Sequence, residues 1–153
     1  MMTRFEELMA SHPHLNVEVS SSLPAKLGGL TIGHTIYINY DRGARERYEL
    51  LQEEIAHYDT SVGNITAEDT LDKRKREKKA RSLAKERAVT LDGLIHCFYT
   101  GLWGPEEVAD YFGVTEKFLF GALEHYRDKY GVIFRYNGYY FDFRRAINIT
   151  KIK

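Results

Sequence analysis

The chain has 153 residues, of which 43% are hydrophobic and 13% aromatic, a composition that suits a compact folded protein and excludes a disordered or fibrous one. Basic and acidic residues both number 22, so the net charge is zero and the molecule as a whole does not attract polyanions. The single cysteine, Cys97, excludes an internal disulfide and a cysteine-only zinc site. The opening residues MMTRFEE lack the pattern of a signal peptide and no apolar run is long enough for a membrane span, so we expect a cytoplasmic protein.

The first part of the chain predicts a short helix, a small sheet and a longer helix. Apolar residues at helical spacing predict a helix over 3–12, which Pro13 ends. Residues that favour strands flank the Gly28-Gly29 turn, and we expect a small antiparallel sheet from the segments 15–19, 30–32 and 35–40. Asp41 is the predicted N-cap of a helix over 44–58, whose apolar residues recur three and four apart.

A strongly basic segment follows a polar stretch, residues 59–72, that predicts a loop. Between Lys73 and Arg87 there are nine basic and two acidic residues, a local charge of +7 that the rest of the chain cancels. Apolar residues at helical spacing predict one helix from this segment to Gly101. Its cations are suited to DNA phosphates or to an acidic partner, and the second interpretation is favoured because the same helix carries an apolar face.

The last third predicts two short helices and a hairpin. Pro105, Gly113 and Thr115 are typical of a helix start, a turn and an N-cap, which together predict a helix-turn-helix-like pair. Its second helix carries apolar residues where a DNA-recognition helix is polar, so we expect it to pack on the core or dock a target protein. The Asn137-Gly138 turn predicts a hairpin over 132–143, whose aromatic residues suit cross-strand pairs, or else stacking on bases or a peptide.

The sharpest chemical pattern is the run Glu53-Glu54-Ile55-Ala56-His57. Residues 53 and 57 share one face of a helix, as do the two histidines that bind zinc in the pattern His-Glu-x-x-His. A carboxylate also ligates zinc, so Glu53 in place of the first histidine permits a site in which Glu54 is the general base. The alternative is an exposed helix face with adjacent acids and one histidine.

This segment and its surroundings resemble the ImmA/IrrE family of metallopeptidase-like proteins. The family pattern is a strand, a helix with His-Glu-x-x-His, a loop, and a helix with Glu-x-x-Ala-x-x-x-Ala, which here matches Glu77-Lys-Lys-Ala-Arg-Ser-Leu-Ala. The resemblance covers residues 23–96. It implies that His57 is the second histidine ligand, Glu54 the catalytic glutamate and Glu77 the third metal ligand, while Glu53 departs from the family pattern at the first ligand.

The resemblance also implies a fold, a cofactor and a partner. The fold is α+β, with a zincin-like minimal peptidase domain over 1–101 and a C-terminal helical pair and β-hairpin over 102–153 packed on it. The cofactor is zinc, with another divalent metal, or none, left open. The activity is that of a zinc metallo-endopeptidase. By residue type alone, Tyr58 and His96 are candidate oxyanion donors, and the favoured alternative is an aromatic side chain at the core edge and a helix histidine bonded to a carbonyl. The partner is a helix-turn-helix transcriptional repressor of a phage or mobile element, which the protein would inactivate.

Two alternatives to hydrolysis remain open at this point. A non-catalytic binding module of the same fold would sequester the repressor, and Glu53 in the first ligand position favours this interpretation. The third possibility is the toxin of a toxin–antitoxin pair, since relatives of this fold occur beside helix-turn-helix antitoxins.

Overall fold

A computed structural model describes residues 1–61 and 70–153, which form an α+β protein with two compact units, Met1–Ala84 and Lys85–Lys153. The predicted α+β class is therefore confirmed. The boundary between the units falls inside a helix, and the predicted functional division between residues 101 and 102 stays a prediction. Within the described ranges, no helix combines the length and the apolar character that crossing a membrane demands.

The first unit contains three strands framed by helices. Its elements are α1 (Arg4–Ala10), β1 (Asn16–Ser20), β2 (Gly29–Ile32), β3 (Thr35–Asn39), α2 (Ala44–Thr60) and the first part of α3 (Thr70–Ala88). The Thr3 hydroxyl accepts a hydrogen bond from the Glu6 backbone N–H, and the Glu6 carboxylate accepts one from the Thr3 N–H, so a capping box starts α1. Because α2 ends at Thr60 and α3 begins at Thr70, both helices extend into the predicted loop; residues 62–69 of that loop lie outside the described part of the chain.

The sheet of the first unit is mixed, so the expectation of an antiparallel sheet is wrong for one pair. The strand order is β1-β3-β2, with β1 parallel to β3 and β2 antiparallel to it. After β1 the chain crosses to the far edge, forms β2, and turns back at Gly33, whose φ of 61° lies in the left-handed region. β3 therefore enters the middle of the sheet, and β2 is left at an edge.

The core of this unit lies between the sheet and α2. It is built from the buried side chains Leu15, Ile36, Ile38, Leu51 and Ile55. The buried Asn39 side chain donates hydrogen bonds to the Pro24 and Leu27 carbonyls, at 3.1 and 2.8 Å, and so fixes the segment before β2. The N-cap of α2 is Gly43 rather than the predicted Asp41, whose carboxylate instead pairs with Arg42.

The basic segment is not one continuous helix, as its apolar spacing predicted. α3 ends at Ala88, and α4 (Leu91–Tyr99) begins after the N-cap Thr90, whose hydroxyl accepts a hydrogen bond from the Gly93 N–H at 3.0 Å. The apolar positions continue through the break, because Ala88, Val89 and Leu91 are all buried. Spacing of apolar residues therefore could not reveal the cap that separates the helices.

The helix-turn-helix-like pair and the hairpin are confirmed. α5 (Pro105–Phe112) ends at Gly113, which has a φ of 71°, and α6 (Glu116–Tyr130) starts at the N-cap Thr115. Strands β4 (Ile133–Tyr136) and β5 (Tyr139–Asp142) flank the Asn137-Gly138 turn, and a further strand that was not predicted, β6 (Asn148–Lys151), pairs with β5. Aromatic cross-strand packing is present, since Phe134 lies opposite Phe141 with ring centroids 5.0 Å apart.

Polar contacts in the second unit connect the end of α3 to α6. The buried Tyr126 hydroxyl donates to the Val89 carbonyl at 2.7 Å. The Glu86 carboxylate lies 2.6 Å from His125 Nε2 and accepts a hydrogen bond from Lys129 Nζ at 3.0 Å. These bonds place the turn between α3 and α4 against α6.

Candidate active site

A cleft in the first unit collects most of the residues that the sequence selected. Glu54, His57 and Tyr58 of α2 and Glu77 of α3 line it, and its volume is about 790 Å³. The α2 residues lie three and four positions apart and therefore share one helix face. The opposite wall is the edge strand β2 with the residues just before it. The cleft thus places two carboxylates and an imidazole beside an edge strand.

The Glu54 carboxylate is held in place by strand β2. The Thr31 hydroxyl donates a hydrogen bond to Glu54 Oε1 at 2.8 Å. Gly29 permits the close approach, because a Cβ atom built on it would lie 2.9 Å from Glu54 Cγ and 3.2 Å from Cδ. The sequence marked the Gly28-Gly29 turn but did not assign Gly29 or Thr31 to the site, since their roles depend on how the helix crosses the strand.

Small side chains bring Glu77 to the same cleft as His57. Ala56, Ala80 and Ala84 are fully buried in one cluster where α2 packs against α3. Ala56 precedes His57 directly, and Ala80 follows Glu77 by three residues, one helical turn. The predicted role of Ala80 and Ala84 as small packing neighbours therefore agrees with their burial.

The fourth predicted site residue, Glu53, does not line the cleft with the other three. It is half-buried and is engaged in an interaction of its own. Among residues 1–61 and 70–153, no group of three His, Cys, Asp or Glu side chains converges closely enough to hold a metal ion. The cleft therefore offers His57, Glu77 and Glu54 as separate donors, and Glu53 is not among the residues that line it.

The two candidate oxyanion donors have different surroundings. Tyr58 lines the cleft, and its hydroxyl lies 2.8 Å from Nδ1 of His34 in the turn between β2 and β3. His14 packs near the same ring, with centroids 5.9 Å apart. His96 belongs to the second unit, where its ring stacks on Tyr111 with centroids 5.1 Å apart. Of the two candidates, only Tyr58 lines the cleft. Its contact with His34 was not indicated by the spacing of the two residues in the sequence.

The edge of β2 presents backbone hydrogen-bonding groups to the cleft. Leu30 lies opposite Tyr37, and the Asn39 N–H donates to the Gly28 carbonyl at 2.8 Å. Because bonding alternates along an antiparallel pair, this register directs the N–H and C=O groups of Gly29 and Thr31 away from β3. Both residues line the cleft, so an extended chain lying there would meet a strand edge with which no strand of the described residues pairs.

Basic residues flank Glu77 along α3. Lys73 lines the cleft with Glu77, while Arg74, Lys75, Lys78 and Lys79 are exposed. The other acid of the segment, Glu86, is already paired with His125 and Lys129. The exposed face of α3 is therefore strongly positive, as the sequence predicted.

Comparisons with protein-family models, with curated proteins and with solved structures found no match.

Outside the cleft, the single cysteine is a buried side chain of α4, as predicted, and burial raises the pKa of the Cys97 thiol to about 11. The burial and the raised pKa are those of a structural, protonated thiol.

Proposed function

We propose that this protein is a metal-dependent, peptidase-like regulator with a minimal zincin-like domain, and that it inactivates a helix-turn-helix transcriptional repressor. The observation that carries the proposal is the cleft in which Glu54, His57 and Glu77 lie beside β2, the edge strand of the described sheet. The nature of the partner comes from the resemblance of residues 23–96 to the ImmA/IrrE family. The first unit is the part that would perform the reaction.

The donor chemistry of the cleft suits zinc. An imidazole and carboxylates are its common ligands after cysteine, and His57 with Glu77 would hold the ion. The described residues hold no preformed group of three donors, so His57 and Glu77 are the two protein ligands proposed. When bound, a zinc ion supplies Lewis acidity toward a peptide carbonyl and toward water.

The residues of the chain itself would position and move the proton. Glu54 would accept the proton of the attacking water on Oε2, while the Thr31 hydroxyl holds Oε1. In the His34 tautomer that carries its proton on Nδ1, the Tyr58 hydroxyl accepts that hydrogen bond and would donate its own proton to the oxygen on which negative charge develops. Glu54, Thr31 and Tyr58 line the same cleft, and His34 contacts it through Tyr58.

The edge of β2 supports a polypeptide as the substrate. An extended segment would add to the sheet through the N–H and C=O groups of Gly29 and Thr31, which would bring its backbone beside Glu54. Lys73 and the basic face of α3 would favour a segment rich in acidic residues. A small metabolite would not use the backbone groups of the strand edge.

The same strand edge also supports the second candidate function, sequestration without hydrolysis. Strand addition binds a partner segment through the backbone alone, and it requires neither a metal nor Glu54 as a base. Glu53, which stands at the first ligand position of the family pattern and lies outside the cleft lining, favours this candidate. The two candidates share a binding site and differ in the fate of the bound repressor.

Co-expression with a candidate repressor, a helix-turn-helix protein chosen from the products of the neighbouring genes, separates the candidates. We expect wild type to deplete the repressor, and Glu54→Gln to leave it intact but bound, as measured by immunoblotting and co-purification. Glu46→Gln, an exposed change on the first turn of the same helix, is the matched control and should behave as wild type. Repressor that stays intact and bound with wild type would establish sequestration, and repressor that is neither lost nor bound would overturn both candidates.

A further inference from the structure

A second concave surface lies in the Lys85–Lys153 unit, on the helix-turn-helix-like pair. This groove, named here the Trp103 groove, has a volume of about 230 Å³ and lies among the start of α5, one face of α6 and the segment after Phe143. Its base is apolar, with the buried side chains Val108, Leu119 and Leu123. A pocket of this kind accepts a bulky apolar side chain.

The rim of the groove exposes two large aromatic side chains. Trp103 is 70% exposed and Phe120 is 50% exposed, which is unusual for side chains of this size. Trp103 is nevertheless fixed, because its indole N–H donates to the Phe98 carbonyl at 2.7 Å. A held aromatic side chain next to an apolar pocket is typical of a protein interaction site, since it adds contact area at a low cost in conformational entropy.

The charge of the groove is of one sign. Arg127 and Arg145 line it, and no Asp or Glu does. Within residues 1–61 and 70–153, neither guanidinium group has a carboxylate partner, whereas the neighbouring Arg144 is paired with Asp142. Phe120, Leu123 and Arg127 lie on one face of α6, so an apolar contact and a charged contact follow each other along the helix. Guanidinium groups in this position bind carboxylates well.

We propose that the Trp103 groove binds a short acidic segment of a partner protein. One bulky apolar side chain of that segment enters the pocket beside Trp103, and a neighbouring carboxylate pairs with Arg127 and Arg145. The two arginines favour an acidic occupant. The aromatic rim favours a polypeptide, because a polypeptide can also contact Trp103 and Phe120 outside the pocket. This surface does not depend on the activity of the cleft, and it gives the helical pair a role in docking rather than in reading DNA.

Intrinsic fluorescence tests the proposal directly, because Trp103 is the only tryptophan of the chain. The full-length protein is titrated with three peptides, acetyl-EELFEE-amide, acetyl-KKLFKK-amide and acetyl-EEASEE-amide. We expect the first to change the Trp103 emission saturably, and to bind about tenfold or more tightly than the other two, a difference of about 1.4 kcal/mol. Equal binding of the basic peptide, or no binding of the acidic one, would overturn the proposal.

Charge reversal identifies the arginines. The variant Arg127→Glu with Arg145→Glu should weaken binding of the acidic peptide at least about tenfold, since two charge-assisted contacts become repulsive. The control Lys117→Glu with Arg135→Glu changes two exposed cations of the same unit outside the groove and should leave binding unchanged. An equal loss of peptide affinity in both variants would show that only the net charge of the protein matters, and would contradict binding at the groove. Sedimentation would contradict the proposal in another way if the wild-type protein binds no peptide but self-associates, and the groove variant does not self-associate. That result would assign the surface to a second copy of the chain.

Discussion

The replacement Gly29→Ala tests how the cleft holds its proposed base. The new Cβ would lie 2.9 Å from Glu54 Cγ, whereas carbon atoms in contact normally lie about 3.5–4.0 Å apart. The backbone of Gly29 is not in the left-handed region, so alanine is tolerated there and the conflict is with the Glu54 side chain. We therefore expect Glu54 to rotate away and to lose its hydrogen bond from Thr31.

The expected magnitude follows from these two changes. A strained rotamer costs roughly 0.5–1.5 kcal/mol and the lost hydrogen bond roughly 0.5–1.5 kcal/mol, which together give about 1–3 kcal/mol. Alanine also lowers the entropy of the unfolded chain, which returns about 0.4–1 kcal/mol to the folded state. Gly29→Ala should therefore lower the free energy of unfolding by about 1 kcal/mol.

A double-mutant cycle measures the contact itself. In a Glu54→Ala background the conflict is absent, so Gly29→Ala should be neutral or stabilising by about 0.4–1 kcal/mol. Urea unfolding of the four proteins should then give a coupling free energy of about 1–3 kcal/mol between positions 29 and 54. A coupling below about 0.3 kcal/mol, the usual error of additivity, would refute the assigned contact.

Two further predictions concern the contacts between the end of α3 and α6. Tyr126→Phe leaves the buried Val89 carbonyl without its donor, so the free energy of unfolding in urea should fall by about 1–3 kcal/mol, and an unchanged value would contradict the bond. Burial raises the pKa of Glu86, but hydrogen bonds from His125 and Lys129 outweigh it and leave the pKa below its ordinary value of 4.5. Because this carboxyl group has the lower pKa in the folded state, its stabilisation is present above pH 4.5 and is lost as the pH falls below that value. The stability difference between wild type and Glu86→Gln should therefore shrink on acidification, and a difference independent of pH would contradict the assignment.

Local signals in the sequence predicted the elements that depend on a few adjacent residues. The turn at Asn137-Gly138, the left-handed Gly113 and the N-cap Thr115 each have a backbone requirement that one residue type meets, so they could be read directly. The direction of β1 could not be read in this way. Its pairing with β3 depends on the chain crossing the sheet before β2, and residues 21–28 carry no sign of that path.

The candidate site was likewise predictable only where its residues are close in the sequence or match the family pattern. The spacing of Glu54 and His57, with the family resemblance for Glu77, selected side chains that do share a cleft. Helical spacing also grouped Glu53 with His57, but the crossing of α2 over β2 decides which side of that face meets the cleft. Thr31, Gly29 and His34 reach the site through tertiary contacts 23–25 positions from their partners, and no local pattern predicts them.

Zinc content tests the central claim most directly, because it does not require a known substrate. Purified wild-type protein is loaded with zinc, dialysed and measured by elemental analysis, beside the double variant His57→Ala with Glu77→Ala and the control His12→Ala with Glu7→Ala. The account predicts one zinc ion per chain in wild type and in the control, and none in the double variant, with all three proteins folded by circular dichroism. Folded wild-type protein that retains no zinc, or a double variant that retains as much as wild type, would contradict a metal site at this cleft.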